Sequence, residues 1–250
     1  MTRRIIIIGD SHTDAIKRAL KKYKKLEGYD VSIEAYRYLK PKGDSYIGDL
    51  DEDQIKQILS ELSPNDLVVS TIGGNQHQVF SLVQHPVSFY VFTLNTLQED
   101  LGENDKIIPY NQVFDYLYQV IDGKDWRRLL TLKKSCSCHV VHLIPPPPKK
   151  NVDHILMHHE THFSNNGLIE RGISCAKLRL NIWMIQRDVL KKKARESNII
   201  LISPPDLSLD KDGFLSEVCY ANDATHGNER YGCLVLDQIF SFYSNNYLKI

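Results

Sequence analysis

The sequence predicts a three-layer α/β/α sandwich on a parallel sheet of about five strands, and three observations carry that expectation. Short apolar runs recur along the chain, they are rich in β-branched residues, and amphipathic stretches separate them. Continuous β-branched runs suit strands buried on both faces, as in a parallel sheet covered by helices. Regular alternation of strand and helix then implies a doubly wound order.

The first strand is residues 4–8, Arg-Ile-Ile-Ile-Ile, and the second is a weaker, partly alternating run at 30–36. Stronger runs follow at 67–72, 139–144 and 198–202. Helices are expected between them. Residues 14–26 are amphipathic and lysine-rich; 51–62 begin with acidic residues, which favour a helix N-terminus, and stop before Pro64. Residues 112–132 read as one long helix. So do 168–197, where Leu178, Ile182, Ile185 and Val189 fall on one face. A last helix covers about 228–243. The prolines at 145–148 can continue neither strand nor helix and mark the exit from the fourth strand. No linker divides the chain, so residues 1–250 are expected to form one domain, with 76–110 an insertion near the site.

Charge narrows the function classes. Lys+Arg and Asp+Glu are both 31, whereas a protein that works on phosphate backbones carries a basic excess. Nucleic acid is therefore not an expected partner, and the basic runs at 21–25 and 191–193 read as solvated helix ends or faces. Four isoleucines are too few for the apolar core of an export signal, and no run reaches the roughly 18 apolar residues of a membrane span. The five cysteines are odd in number and scattered, which suits reduced thiols in a cytoplasmic protein. Cys136-Ser137-Cys138 has no second pair to complete a zinc site.

Three segments carry candidate chemistry. Ser11, in Gly9-Asp10-Ser11-His12, ends the first strand and starts a helix. Ligands of open α/β sheets bind at the carboxyl ends of strands, and a helix N-terminus favours negative charge. Serine and aspartate there are equally ordinary helix caps. Asp223-Ala224-Thr225-His226 lies in a loop before the last helix, where an aspartate can orient a histidine that takes a proton from a serine. Gly73-Gly74-Asn75 follows the 67–72 strand; its amide can donate to an oxyanion, or it can be a plain Gly-Asn turn.

Taken in order, these segments resemble the SGNH (GDSL-like) hydrolase superfamily. Gly9-Asp10-Ser11 is similar to the first block, Gly73-x-Asn75 to the third and Asp223-x-x-His226 to the fifth, across the whole chain. The resemblance implies a flavodoxin-like fold, a Ser11 nucleophile with His226 as general base and Asp223 as its orienter, and no metal or cofactor. It implies an oxyanion hole of Ser11, Asn75 and a second-block glycine, for which Gly43 is preferred to Gly48. His12, Gly74 and Gln76 flank these donors and are expected to bind substrate. The Gly-Asp-Ser-His tetrad resembles SGNH domains attached to bacterial sugar O-acyltransferases, implying a short-chain carbohydrate ester. Acyl transfer by the same residues, and a non-catalytic binding protein, remain alternatives. No Gly-x-Ser-x-Gly elbow is present.

One cluster stands outside this scheme: His154, His158, His159, Glu160 and His162. His158 and His162 would share a helix face, as metal ligands can, but His159-Glu160-Thr161-His162 is one residue short of the His-Glu-x-x-His order. A solvent-facing polar loop is the expected reading.

Overall fold

A computed structural model of the chain describes residues 2–24, 29–92 and 106–247. In chain order the first half comprises β1 (Arg3–Gly9), α1 (Thr13–Leu20), β2 (Val31–Arg37), the hairpin β3 (Lys40–Lys42) and β4 (Ser45–Ile47), α2 (Glu52–Ser60), β5 (Leu67–Thr71), α3 (Gln76–Ser81), β6 (Phe89–Phe92) and β7 (Lys106–Pro109). Then come α4 (Tyr110–Ile121), α5 (Arg127–Lys134), β8 (His139–Leu143), the short helices α6 (Val152–Met157), α7 (Thr161–Asn165) and α8 (Leu168–Arg171), the long α9 (Ala176–Ser197), β9 (Ile200–Ile202) and α10 (Glu229–Tyr247).

The four isoleucines of β1 explain the layering. Side chains alternate along a strand, so Ile5 and Ile7 enter one core while Ile6 and Ile8 enter the other, all four without solvent exposure. At about 1.5–3 kcal/mol for each such side chain, this strand anchors both layers. Ile5 and Ile7 pack with Ile16 of α1 and Val235 and Ile239 of α10; Ile6 and Ile8 pack with Ile55 of α2, Leu117 of α4 and Ile182 of α9. The face expected on α9, with Leu178, Ile182, Ile185 and Val189, lies in this second core.

The central sheet has five parallel strands in the order β2-β1-β5-β8-β9. All five expected strands are in it. β1 is internal, but the middle strand is β5. The order reverses between β1 and β5, so their carboxyl ends open a crevice, the usual ligand position in such sheets. The two strands approach closely at Gly9, where a Cβ would stand 2.0 Å from Thr71 Oγ1. Among the described residues no helix is long and apolar enough to cross a membrane.

Helix boundaries differ from expectation for identifiable reasons. α1 closes at Leu20; positions 25–26, the expected end of that helix, lie outside the described residues. The helix expected over 112–132 is interrupted by a π-helical turn at Asp122–Trp126, which contains the poor helix former Gly123 and seats the Trp126 indole against Ser197 Oγ at 3.0 Å. The helix expected over 168–197 is split at Gly172, whose φ of 78° ends α8 before Ser174 pairs back to Leu82 O. The segment 76–110 contributes α3 and a separate parallel pair, β6 with β7; positions 93–105 lie outside the described residues.

Candidate active site

The turn between β1 and α1 carries Ser11 and His12. Backbone bonds there begin with Thr13 N–H to Asp10 O and Asp14 N–H to Ser11 O, leaving the Ser11 N–H without a backbone acceptor among the described residues. Asp10 reaches across the crevice, its carboxylate accepting from Gly73 N–H at 2.9 Å. The Thr13 and Thr71 hydroxyls meet at 2.7 Å beneath it. These bonds set the exit of β1 against the exit of β5.

Asn75 sits at the start of α3, and its Oδ1 lies 3.0 Å from His12 Nε2. A carbonyl oxygen only accepts, so Nε2 carries the ring hydrogen. Burial, with the nearby charges of His226 and His77, pushes the His12 pKa down to about 3, so the ring is neutral at ordinary pH. With Oδ1 held by His12, the Asn75 amide nitrogen is turned away from that ring. Gly74 permits the arrangement: its φ is 107°, and a Cβ would stand 2.9 Å from Pro145 and 3.1 Å from the His12 ring. Behind it, Gln186 of α9 donates to Gly74 O at 3.2 Å and accepts from His77 N–H at 2.7 Å.

The loop before α10 carries the other candidates. His226 Nε2 lies 2.7 Å from Ser11 Oγ, and its Nδ1 lies 2.9 Å from Asp223 Oδ2. The second carboxylate oxygen of Asp223 accepts from His226 N–H at 2.7 Å and Thr225 N–H at 2.9 Å, which locks the short Asp-x-x-His turn. Burial works against the charge on Asp223, but the hydrogen bonds and charge of His226, with the charge of Lys149, hold its carboxyl well below the usual carboxylate range. Since Asp223 accepts at Nδ1, the neutral imidazole leaves Nε2 free to receive the Ser11 proton. Asn228 closes the loop, donating to Val218 O and Tyr220 O while accepting from Tyr231 N–H in the first turn of α10.

The structure thus brings Ser11, His12, Asn75, Asp223 and His226 together. Gly43 stands elsewhere, on the exposed turn of the β3–β4 hairpin, with nothing within 4 Å of the position a Cβ would take. Gly48 lies against Tyr38, where a Cβ would stand 2.3 Å from the carbonyl oxygen. The Gly74 N–H is taken by Gln76 Oε1 at 3.2 Å, and Gln76 Nε2 donates to Asp125, so both residues are partners within the turn. Gln76 also borders a groove of about 550 Å³ that starts at Asn75 and is walled by Val79, Phe80, Phe89, Ile108, Tyr116 and Val120.

The polar cluster around 154–162 is not a free surface loop. Glu160 accepts from Ala224 N–H at 3.2 Å and from the Thr225 hydroxyl at 3.3 Å, and its carboxylate lies 3.8 Å from His226 Nδ1. His154 Nε2 lies 2.9 Å from Ala221 O, and Lys149 reaches the same loop. The expected solvent-facing loop is instead tied to the segment that carries His226, and Lys149 joins it without any local motif to announce it. Among the described residues, Glu160, Asp223 and His226 place ligand atoms within 4.8 Å of one another. Two features of the group work against a cation there: His226 Nδ1 is already paired with Asp223, and the Lys149 ammonium lies 3.4 Å from Asp223 Oδ1.

Comparison with known proteins gives likeness of structure only. No protein-family model matches the sequence, and no curated protein matches it. The chain is similar to solved GDSL-like esterases and lipases. A GDSL-like lipase from Bacteroides thetaiotaomicron aligns at 12% identity over 98% of this chain and 89% of that one, with a TM-score of 0.46. A carbohydrate acetylesterase family member from Sinorhizobium meliloti aligns at 11% identity over 99% and 100%, with a TM-score of 0.49. An extracellular lipase from Streptomyces rimosus aligns at 13% identity over 96% and 99%, also with a TM-score of 0.49. Likeness at this level says nothing of the reaction.

Proposed function

We propose that the chain is a serine hydrolase of SGNH type that cleaves acyl esters through an acyl-enzyme on Ser11. One observation carries the reading: Ser11 Oγ, His226 and Asp223 form a continuous hydrogen-bonded series of 2.7 and 2.9 Å at the sheet's switch point. Asp-His-Ser contacts of this length are what activation of a serine requires.

In the proposed reaction His226 Nε2 takes the Ser11 proton as Oγ bonds to the ester carbonyl carbon. Asp223 stabilises the imidazolium and keeps Nδ1 protonated. Negative charge moves to the carbonyl oxygen, where the Ser11 N–H and the Asn75 amide donate to it. The tetrahedral adduct collapses, the carbon–alkoxy bond breaks, and His226 returns its proton to the departing alcohol. Water then attacks the acyl-serine by the same route, releasing the carboxylic acid and restoring Ser11.

The groove beside Asn75 gives the acyl chain an apolar channel of the size typical of ligand pockets. It supports an acyl group longer than the short chain expected from the Gly-Asp-Ser-His resemblance. The test is hydrolysis of p-nitrophenyl esters from acetyl to decanoyl by wild type and Ser11→Ala, with mass spectrometry of the acylated peptide. We expect kcat/KM to rise beyond acetyl and the acyl mass to sit on Ser11. Equal activity of Ser11→Ala, or an adduct elsewhere, would overturn the mechanism; a profile highest at acetyl would overturn the role of the groove.

A further inference from the structure

We propose that Lys149 is a positioning residue for the Asp223–His226 pair, acting through its charge as well as through its hydrogen bonds. The inference rests on the reading of His226 as the base.

Lys149 lies just beyond the proline run, and its side chain has no solvent exposure. A buried ammonium is costly unless its protons are matched. Here they are: Nζ donates to Ala221 O at 2.7 Å, Asp223 O at 2.5 Å and Asp223 Oδ1 at 3.4 Å. All three acceptors belong to the loop that presents His226. His154 Nε2, at 3.4 Å, and the Tyr220 ring, 5.1 Å from Nζ to its centre, complete the surroundings. The lysine is itself anchored from α9, where the buried Arg179 donates to Lys149 O and to Lys150 O. Trp183, one turn on, donates to Pro145 O at 3.0 Å. A continuous path therefore runs from a 22-residue helix, through two buried cations, to the loop.

The charge has a separate consequence. His226 is faced by Asp223 and Glu160, by the neutral His12 and the hydroxyls of Ser11 and Thr225 from the other sides, with Lys149 behind Asp223. Two carboxylates next to one imidazole favour its protonated form, which cannot accept the serine proton. Lys149 offsets part of that field. It leaves Asp223 charged and hydrogen-bonded to Nδ1.

The experiment is a kcat/KM pH profile of Lys149→Met against wild type, on the best ester, with Ser11→Ala as control. Lys149→Met is expected to lower kcat about 10- to 100-fold with KM nearly unchanged, the cost of a slightly misplaced group. It is also expected to move the acid limb upward by about half to one pH unit. A folded variant with an unmoved acid limb overturns the charge-based role. If Lys149→Met does not fold, Lys149→Ala is assayed with propylammonium and with propanol. Recovery by the cation alone supports the proposal; equal recovery by both, or no folded protein under any condition, overturns it in favour of a purely structural lysine. Should Ser11→Ala match wild type instead, the hydrolase reading itself fails.

Discussion

The two halves of the candidate site are built on different physical principles. One half, Ser11, His12 and Asn75, stands on the carboxyl ends of adjacent parallel strands, and the Gly9–Thr71 pairing of the sheet sets its geometry. The other half, Asp223 and His226, stands on a loop with no strand beneath it. That loop is held instead by side chains reaching from three other places: Lys149 after β8, His154 in α6 and Glu160 before α7. The sheet positions its residues by ladder bonds, close glycine packing and a few side chains at the strand ends themselves; the loop depends on charged and polar residues that reach it from distant segments. Substitutions around the first half should therefore act through packing, and substitutions around the second through electrostatics.

The largest expected effect is on the bond that joins the halves. Ser11→Ala should abolish ester hydrolysis, a loss of about 10⁶ in kcat where a serine triad acts as a unit, with the fold unchanged by circular dichroism. Residual activity near wild type would mean that the two halves do not share a reaction.

Within the loop half, Asp223→Asn should lower kcat by about 10⁴, since the amide spoils the tautomer of His226 and no longer stabilises its cation. A loss under about tenfold would show that Glu160, 3.8 Å from the same nitrogen, orients the ring instead.

Within the strand-end half, Asn75→Ala should lower kcat by about 10²–10³ with KM little changed. His12→Phe keeps the buried volume but removes the donor that holds Asn75 Oδ1. It should cost about tenfold in kcat, the worth of one neutral hydrogen bond. Equal losses in the two variants would mean that the Asn75 amide is useful only when His12 aligns it; no loss in His12→Phe would mean that the strand ends alone suffice.

The last comparison concerns stability rather than rate. Burial pushes His12 down to about 3 and both His77 and His142 down to about 4. Each stays neutral in the folded chain while its unfolded counterpart, near pH 6.5, takes up a proton. Stability is thus fully present above about pH 6.5 and is lost as pH falls toward 4, on the order of 1.4 kcal/mol per pH unit for each histidine. Urea midpoints should drop between pH 7 and pH 5. His77→Phe should flatten that slope, because the unfolded chain then has one fewer imidazole to protonate; the substitution breaks no ring hydrogen bond among the described residues. An unchanged slope would show that His77 is not kept neutral by burial.

Much of this was legible in the chain, unevenly. Four of the five sheet strands were readable as apolar, β-branched runs, and the edge strand β2 by its partial alternation. Ser11 and Asn75 were readable because strand ends fix where their neighbours go. The short strands β3 and β4 carry no such signal, Lys40-Pro41-Lys42 being exposed on every residue; β6, Phe89-Tyr90-Val91-Phe92, is an apolar run that pairs outside the central sheet. The breaks at Asp122–Trp126 and Gly172 were visible only as isolated glycines, which a helix often tolerates. Gly43 was chosen by its resemblance to a local triplet, and the hairpin turn around it shows how weak three residues are as a guide to position.

The sequence by itself determined the layers and the strand-end half of the site, because hydrophobic periodicity and strand termini are local properties. Only the tertiary structure decided what holds the other half. Lys149, Glu160 and Asp223 are separated by up to 74 positions in the chain, and nothing local distinguishes a buried lysine beneath a loop from one on the surface. Their roles arise from burial. An ammonium that is cheap in water becomes a costly and directional group once enclosed, and only the closed fold supplies the carbonyls and carboxylate that satisfy it.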